Sequence, residues 1–187
     1  MQMRMIIGII LIFTSATSLD VRAGEASGGE QVYKSASDYV AGVFDQQPPE
    51  LETLWPSGEL RNQLAGILGH TPSLRFKYWG ANGKTVWILD EIGKDRPITA
   101  GVTIAHGKIQ DVQVLVFRES RGWEVKHDFF TRQFANLWLD QRQELSQDID
   151  NITGATLSVK AMTRMAKAAL LMHEHTAQAT LTLANAR

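Results

Sequence analysis

The chain has 187 residues, of which 44% are hydrophobic and 21% are charged, a composition typical of a globular protein that buries a core. Its 19 lysine and arginine residues balance 20 aspartate and glutamate residues, so charge gives no basis for nucleic-acid binding or for adsorption to an anionic membrane. Because cysteine is absent, disulfides, thiolate metal sites, cysteine-ligated iron–sulfur clusters, C-x-x-C-H haem attachment and lipid anchoring on cysteine are excluded.

The first 23 residues have the features of a secretory signal peptide. Arg4 supplies a positive charge, Met5 to Phe13 form an apolar run, and Val21-Arg22-Ala23 resembles a cleavage site. The run is much shorter than the roughly 20 apolar residues that a membrane-spanning helix needs, so an uncleaved membrane anchor is the less favoured alternative. We therefore expect export to the periplasm and a mature chain that begins near Gly24.

Residues 24–73 are expected to form a linker and a helical N-terminal extension. Residues 24–30 are polar and rich in glycine, whereas residues 33–45 carry apolar side chains at helical spacing. A second helix is predicted after Ser57, closed by Gly69.

From residue 74 the apolar period changes to two, which predicts an antiparallel meander of four strands. Turn residues at 80–83 and at His106-Gly107 separate neighbouring strands. The predicted strands are 74–79, 84–92, 98–105 and 108–117. Such a sheet needs an element packed on its apolar face.

The remaining chain is expected to supply that element. A loop over 118–125 precedes a helical segment around Phe129 to Leu137, and a long closing helix is predicted from about Ser158 to about Ala184. The predicted fold class is α+β, with residues 74–187 as a domain in which the long C-terminal helix packs on the meander.

The stretch Asp-Asn-Ile-Thr-Gly-Ala-Thr-Leu-Ser, residues 150–158, stands where this closing helix begins. Gly154 permits a positive φ or the close approach of another group, and Ala155 leaves that approach uncrowded. The free N–H groups and the positive dipole end of the helix favour a phosphate here, within reach of the Thr156 hydroxyl.

A plainer interpretation stays open for the same residues. Thr153 and Ser158 are expected to cap the exposed N–H groups, and such residues favour helix starts without any ligand. Asp150 would repel a phosphate unless a cation lay between them. The residues alone therefore allow either an ordinary turn into a helix or a phosphate site.

The stretch resembles the flavinylation motif of the FMN-binding domain family through the pattern Asp150-x-x-Thr153-Gly154-Ala155-Thr156-x-Ser158. Members of that family include extracytoplasmic subunits of the sodium-pumping NADH:quinone oxidoreductase and of the Rnf complex, and regulators of nitrous oxide reduction. In the family, FMN is attached through its phosphate to the second threonine of the motif, so the resemblance implies a phosphoester on Thr156. A separate Mg²⁺-dependent flavin transferase makes the bond from FAD.

The resemblance extends over about residues 74–176. The loop Glu119-Ser120-Arg121-Gly122-Trp123 stands where the family has a Glu-Thr-Pro-Gly-like loop against the flavin. Arg121 replaces the usual proline, and Glu124 replaces a common glycine. These two differences from the family affect the expected shape of the pocket for the flavin ring. The residues implied to bind FMN are Asp150, Thr153, Gly154, Ala155, Thr156, Leu157, Ser158, Glu119, Ser120, Arg121, Gly122 and Trp123.

Several nearby side chains are candidates for tuning the flavin. Arg118, Arg121 and Lys126 would stabilise negative charge on a reduced flavin, and Trp123 would stack on its ring. The alternative for each of the three cations is a solvated surface position, and the alternative for Trp123 is an ordinary packing role. His173-Glu174-His175 resembles a metal-binding tract, but residues two apart on a helix point in different directions, so we expect an ordinary helix surface.

We therefore expect an exported flavoprotein that carries electrons through one covalently held FMN. Its redox donor and acceptor, membrane-bound or soluble, are not identified by the sequence, and no nucleic-acid partner is expected. The alternatives are a flavin-dependent reductase component and a non-redox regulatory or binding module.

Overall fold

A computed structural model describes residues 29–176. The predicted signal peptide, the first residues of the linker and residues 177–184 of the predicted closing helix lie outside the described residues, within which that helix ends at Glu174. Within residues 29–176, no helix combines the length and the hydropathy that crossing a membrane requires.

The fold is α+β and centres on one antiparallel sheet of six strands in the order β1-β6-β5-β4-β3-β2. The strands β3 to β6 follow one another along the chain and form the predicted meander. The strand bounds are Gln31–Val32 for β1, Leu51–Leu54 for β2, Phe76–Ala81 for β3, Lys84–Ile92 for β4, Pro97–Ala105 for β5 and Lys108–Phe117 for β6.

Two short edge strands correct the expectation of a four-stranded sheet preceded by a helical extension. β1 pairs with the end of β6, with Gln31 opposite Phe117, and β2 pairs with β3, with Leu51 opposite Trp79. The N-terminal segment therefore adds one strand to each edge of the sheet. β1 has only two residues, and the sequence of β2, Leu-Glu-Thr-Leu, does not alternate between apolar and polar residues, so neither strand shows a period of two in sequence.

Helices cover both faces of the sheet. The N-terminal segment contains α1 (Ala36–Val43) and α2 (Gly58–Leu68), and the C-terminal helix α4 spans Thr156–Glu174. Tyr39 and Val40 of α1 pack with Val86 in one apolar cluster, whereas α2 and α4 pack with Trp87 in the main core. Because Val86 and Trp87 are neighbours on β4, the two clusters lie on opposite faces of the sheet.

The two predicted hairpin turns are present. Asn82 and Gly83 join β3 to β4 with φ values of 53° and 76°, and His106 and Gly107 join β5 to β6 with 53° and 70°. Positive φ at both central residues is the geometry that matches the twist of the flanking strands. The first turn needs only two residues, so β3 continues to Ala81, beyond the predicted end.

The segment after β6 is less regular than predicted. The predicted loop ends in a 3-10 turn at Trp123–Lys126, and the expected helix is divided into the short helix α3 at Asp128–Thr131 and a second 3-10 turn at Arg132–Phe134. Phe130 and Phe134 are fully buried and meet edge-to-face with ring centroids 5.4 Å apart. Phe130, Phe134 and Leu137 of the helical prediction therefore anchor short turns to the core, whereas Phe129 is exposed.

His173 is not on the surface of α4, which corrects the expectation for the His173-Glu174-His175 tract. Its side chain is 1% exposed, and its Nδ1 lies 2.8 Å from Thr85 Oγ1, which also accepts a hydrogen bond from Trp87 Nε1. The predicted divergence within the tract is present, because the Nδ1 of His175 instead pairs with the Leu171 carbonyl at 2.9 Å.

We expect the protein to lose stability as the pH falls from about 6.5 to about 4. Burial, with a smaller contribution from His106, lowers the pKa of His173 from 6.5 to about 4. In this range the unfolded chain binds a proton that the folded chain excludes. The free energy of unfolding then decreases by up to about 1.4 kcal/mol per pH unit.

Urea denaturation at a series of pH values measures this slope. His173→Asn is the control, since its amide offers a hydrogen-bonding group near the position of Nδ1 but does not titrate. The variant should show a shallower slope across the same range. Equal slopes in the two proteins would assign the loss to other groups.

Candidate functional site

Three segments that are distant in sequence meet at one end of α4 and enclose a cleft of about 550 Å³. They are the turn between β4 and β5, the loop after β6 and the first turn of α4 with the residues before it. The cleft is lined by Lys94, Glu119, Ser120, Arg121, Gly154, Ala155, Thr156, Leu157 and Ser158.

Thr156 is the first residue of α4, and its side chain is exposed in this cleft. Its Oγ1 accepts a hydrogen bond from Asn151 Nδ2 at 3.0 Å. Gly154 has φ 85° and open space around its α carbon, while Ala155 is buried beneath the turn. The backbone therefore presents the Thr156 hydroxyl outward, with one neighbouring side chain oriented toward it.

The start of α4 has no side-chain cap, which corrects the predicted capping by Thr153 and Ser158. The N-cap residue is Ala155, which has no side-chain acceptor. Thr153 is exposed outside the cleft lining, and Ser158 is buried within the first turn. Because the first N–H groups of a helix have no partner within it, they favour an anion such as a phosphate at this position.

Gly122 allows the loop after β6 to approach the first turn of α4. It has φ 84°, and a Cβ placed on it would lie 2.3 Å from Ser158 Oγ and 3.5 Å from the Ala155 α carbon. A side chain at position 122 is therefore excluded by backbone conformation and by the neighbouring helix. This contact fixes the distance between the two main walls of the cleft.

Glu119 holds the third wall of the cleft, the turn between β4 and β5, in place. Its Oε1 accepts backbone N–H groups from all three residues Lys94, Asp95 and Arg96. Partial burial alone would raise the pKa of Glu119, but these hydrogen bonds together with the charge of Lys94 hold that pKa below its usual value. The carboxylate therefore shapes the turn as well as lining the cleft.

Two cationic side chains line the cleft. Arg121 is exposed at one wall, and Lys94 is exposed at another, with its Nζ 3.6 Å from Asp95 Oδ2. Lys94 was not predicted, because a lysine in a short hairpin turn has no sequence feature that separates it from a surface residue. Its place in the site follows only from the packing of the turn against Glu119.

Other predicted residues lie outside the cleft. Asp150 is exposed, and its backbone N–H donates to Gln133 Oε1 at 2.7 Å. Trp123 does not line the cleft; its ring is half-exposed, meets His127 edge-on at 5.4 Å and lies 5.2 Å from Lys126 Nζ. The predicted stacking of Trp123 on a cofactor ring is therefore not prearranged.

The structure also separates two of the three predicted tuning cations from the cleft. Arg118 donates to Glu30 Oε2 at 3.2 Å and to Thr99 Oγ1 at 2.9 Å, so it joins the residue before β1 to β5. Lys126 lies between the rings of Trp123 and Tyr33 and lines a separate groove. Only Arg121 of the three is placed in the cleft.

The cleft residues fit a phosphorylated cofactor of moderate size. The volume of the cleft lies within the range of about 300–1,000 Å³ that is usual for small-molecule sites. An uncapped helix start, an outward hydroxyl and two cations are groups that can bind the phosphate of a nucleotide and its negative charge.

Comparison with known proteins agrees with this chemistry. The model of the FMN-binding domain family matches residues 93–171, a range that contains all three walls of the cleft. Searches of curated proteins and of solved structures found no match. The similarity to the FMN-binding domain family thus covers the part of the chain that forms the cleft.

Proposed function

We propose that this protein is an extracytoplasmic electron carrier with FMN joined to Thr156 through a phosphoester. The observation that supports it most directly is the position of Thr156. Its hydroxyl lies at the first residue of α4, in the cleft and beside an uncapped helix start. A phosphoester there keeps a negative charge next to the positive end of the helix dipole.

The bond would be made by a separate flavin transferase that uses FAD and Mg²⁺. A bond would form between the Thr156 oxygen and the FMN phosphorus of FAD while the bond to the AMP phosphate breaks, so that AMP and the hydroxyl proton are released. Asn151 occupies a lone pair of this oxygen and orients it. The exposed side chain of Thr156 leaves the oxygen accessible to another enzyme.

When bound, FMN supplies the redox chemistry, and the chain supplies binding, orientation and charge. Gly154 to Ser158 would hold the phosphate, while Ser120, Arg121 and Lys94 face the rest of the cleft. The N-terminal signal-like residues support a location outside the cytoplasm, where a covalent bond keeps the cofactor from being lost. The donor and the acceptor would be redox proteins, membrane-bound or soluble.

Two other functions are distinguishable from this one. A flavin-dependent reductase component would consume a small-molecule acceptor steadily, whereas a carrier exchanges electrons only with redox partners. A non-redox binding or regulatory module would acquire no flavin. The open cleft beside a modifiable hydroxyl favours the carrier over the module.

Replacing Thr156 should abolish flavin attachment. Coexpression of the wild-type chain with a flavin transferase should give an intact mass raised by FMN less one water, together with yellow absorbance. Thr156→Ala should give the unmodified mass and a colourless protein, because no hydroxyl is present at the helix start.

Thr153→Ala is the matched control, since Thr153 belongs to the same motif but lies outside the cleft lining. It should keep the added mass, because the hydroxyl at position 156 is unchanged. Attachment that persists in Thr156→Ala, or an unmodified wild-type chain under these conditions, would refute the proposed bond.

Gly122→Ala should destabilise the protein and reduce the yield of flavinylated protein. The new methyl group would lie 2.3 Å from Ser158 Oγ, and the positive φ disfavours alanine. Together we expect a loss of about 1–3 kcal/mol in the free energy of unfolding. Urea denaturation and intact-mass spectrometry provide the two measurements.

Gly107→Ala separates the two contributions, because Gly107 has a similar φ of 70° but open space around it. This control should lose only the part that is due to backbone strain and should keep normal flavin attachment. If both variants lost the same stability and neither lost attachment, the contact with Ser158 would not shape the site.

A further inference from the structure

The turn between β4 and β5 is shaped by a single carboxylate oxygen. Three consecutive backbone N–H groups, those of Lys94, Asp95 and Arg96, converge on Glu119 Oε1. The turn is closed by the Gly93 N–H, which donates to the Arg96 carbonyl at 3.2 Å. A Cβ on Gly93 would lie 2.9 Å from the same Glu119 oxygen, so the turn wraps closely around the carboxylate.

This arrangement determines where Lys94 stands. Its backbone is fixed by Glu119, and its side chain lines the same cleft as Thr156. Glu119 itself is the one acidic residue among those lining the cleft, and its Oε1 is directed to the turn. The two cations that line the cleft are Lys94 and Arg121, and the Nζ of Lys94 also lies 3.6 Å from Asp95 Oδ2 at the exposed surface of the turn.

We infer that Lys94 is a cation that acts on the bound flavin and that Glu119 is the residue that positions it. This inference rests on the proposed attachment of FMN at Thr156. Lys94 favours the reduced flavin, because reduction adds negative charge within the cleft and a nearby cation stabilises it. Glu119 acts through the turn, not by contact with the flavin ring.

The first test is the reduction potential of flavinylated protein, measured by spectroelectrochemical titration at mildly alkaline pH. Lys94→Gln should lower the equilibrium ratio of reduced to oxidised flavin about tenfold, which is about 30 mV for a two-electron couple. Lys77→Gln removes the same charge from an exposed position on β3 outside the cleft and should leave the potential unchanged.

The second test separates positioning from direct charge. Lys94→Gln is repeated in a Glu119→Ala background, where the turn has lost its shared acceptor. Its effect on the ratio should shrink to less than about threefold, because coupled residues are not additive. A Glu119→Gln background should restore much of the effect, since the amide oxygen still accepts N–H groups.

Amide hydrogen exchange on the unmodified chain provides a readout without flavin. Exchange at residues 94–96 should accelerate in Glu119→Ala and stay slow in Lys94→Gln, while exchange in the core of β5 remains slow in both. Faster exchange throughout the sheet in Glu119→Ala would mean general unfolding; the comparison would then be made with Glu119→Gln.

The outcomes separate the two proposals. A wild-type chain that acquires no FMN overturns the attachment and this inference together. A flavinylated chain whose potential is the same with Lys94→Gln overturns the role of Lys94 alone. An equal tenfold effect of Lys94→Gln in the wild-type, Glu119→Ala and Glu119→Gln backgrounds overturns the positioning role of Glu119.

Discussion

The site depends on the contact between the backbone of Gly122 and the first turn of α4. Ser158 and Ala155 occupy the space that any larger residue at position 122 would need. Because the loop meets the helix at this distance, the helix start is buried on one side and open on the other. The open side carries the Thr156 hydroxyl. A helix terminus that would otherwise need a cap thus becomes a place for an anion.

The sheet brings the other parts of the cleft to this contact. β5 and β6 are neighbours, and Ile98 lies opposite Phe117, so the turn before β5 meets the loop after β6. Glu119, two residues beyond Phe117, then reaches the three N–H groups of that turn. A carboxylate satisfied by three donors is firmly placed, and its low pKa keeps it charged at neutral pH. The register of β5 and β6 therefore brings residues that are far apart in sequence together in one wall of the cleft.

Periodicity predicted those parts of the fold whose local pattern is repeated. The four strands of the meander and the tight turn at His106-Gly107 follow from alternation and turn residues. β1 and β2 could not be predicted in this way, because they are strands through their pairing with β6 and β3 and have no repeated pattern of their own. The motif around Thr156 was recognisable because several hydroxyl residues surround Gly154. Lys94 and the burial of His173 depend on tertiary packing, which a single sequence does not display.

The N-terminal segment lies before the region that the family model matches, yet it supports the helix that carries the site. Glu91 is buried on β4, and its two oxygens lie 3.0 Å from Arg164 Nη2 on α4 and 3.0 Å from His70 Nε2 after α2. Removing Arg164 would leave the buried carboxylate without its permanently charged partner, which is strongly unfavourable. The hydrogen bond to Glu91 is also the main cause that raises the pKa of His70. Because α2 packs in the same core as α4, the segment before residue 93 holds that helix against the sheet. The structural unit that holds the cleft is thus larger than residues 93–171, the range that the family model matches.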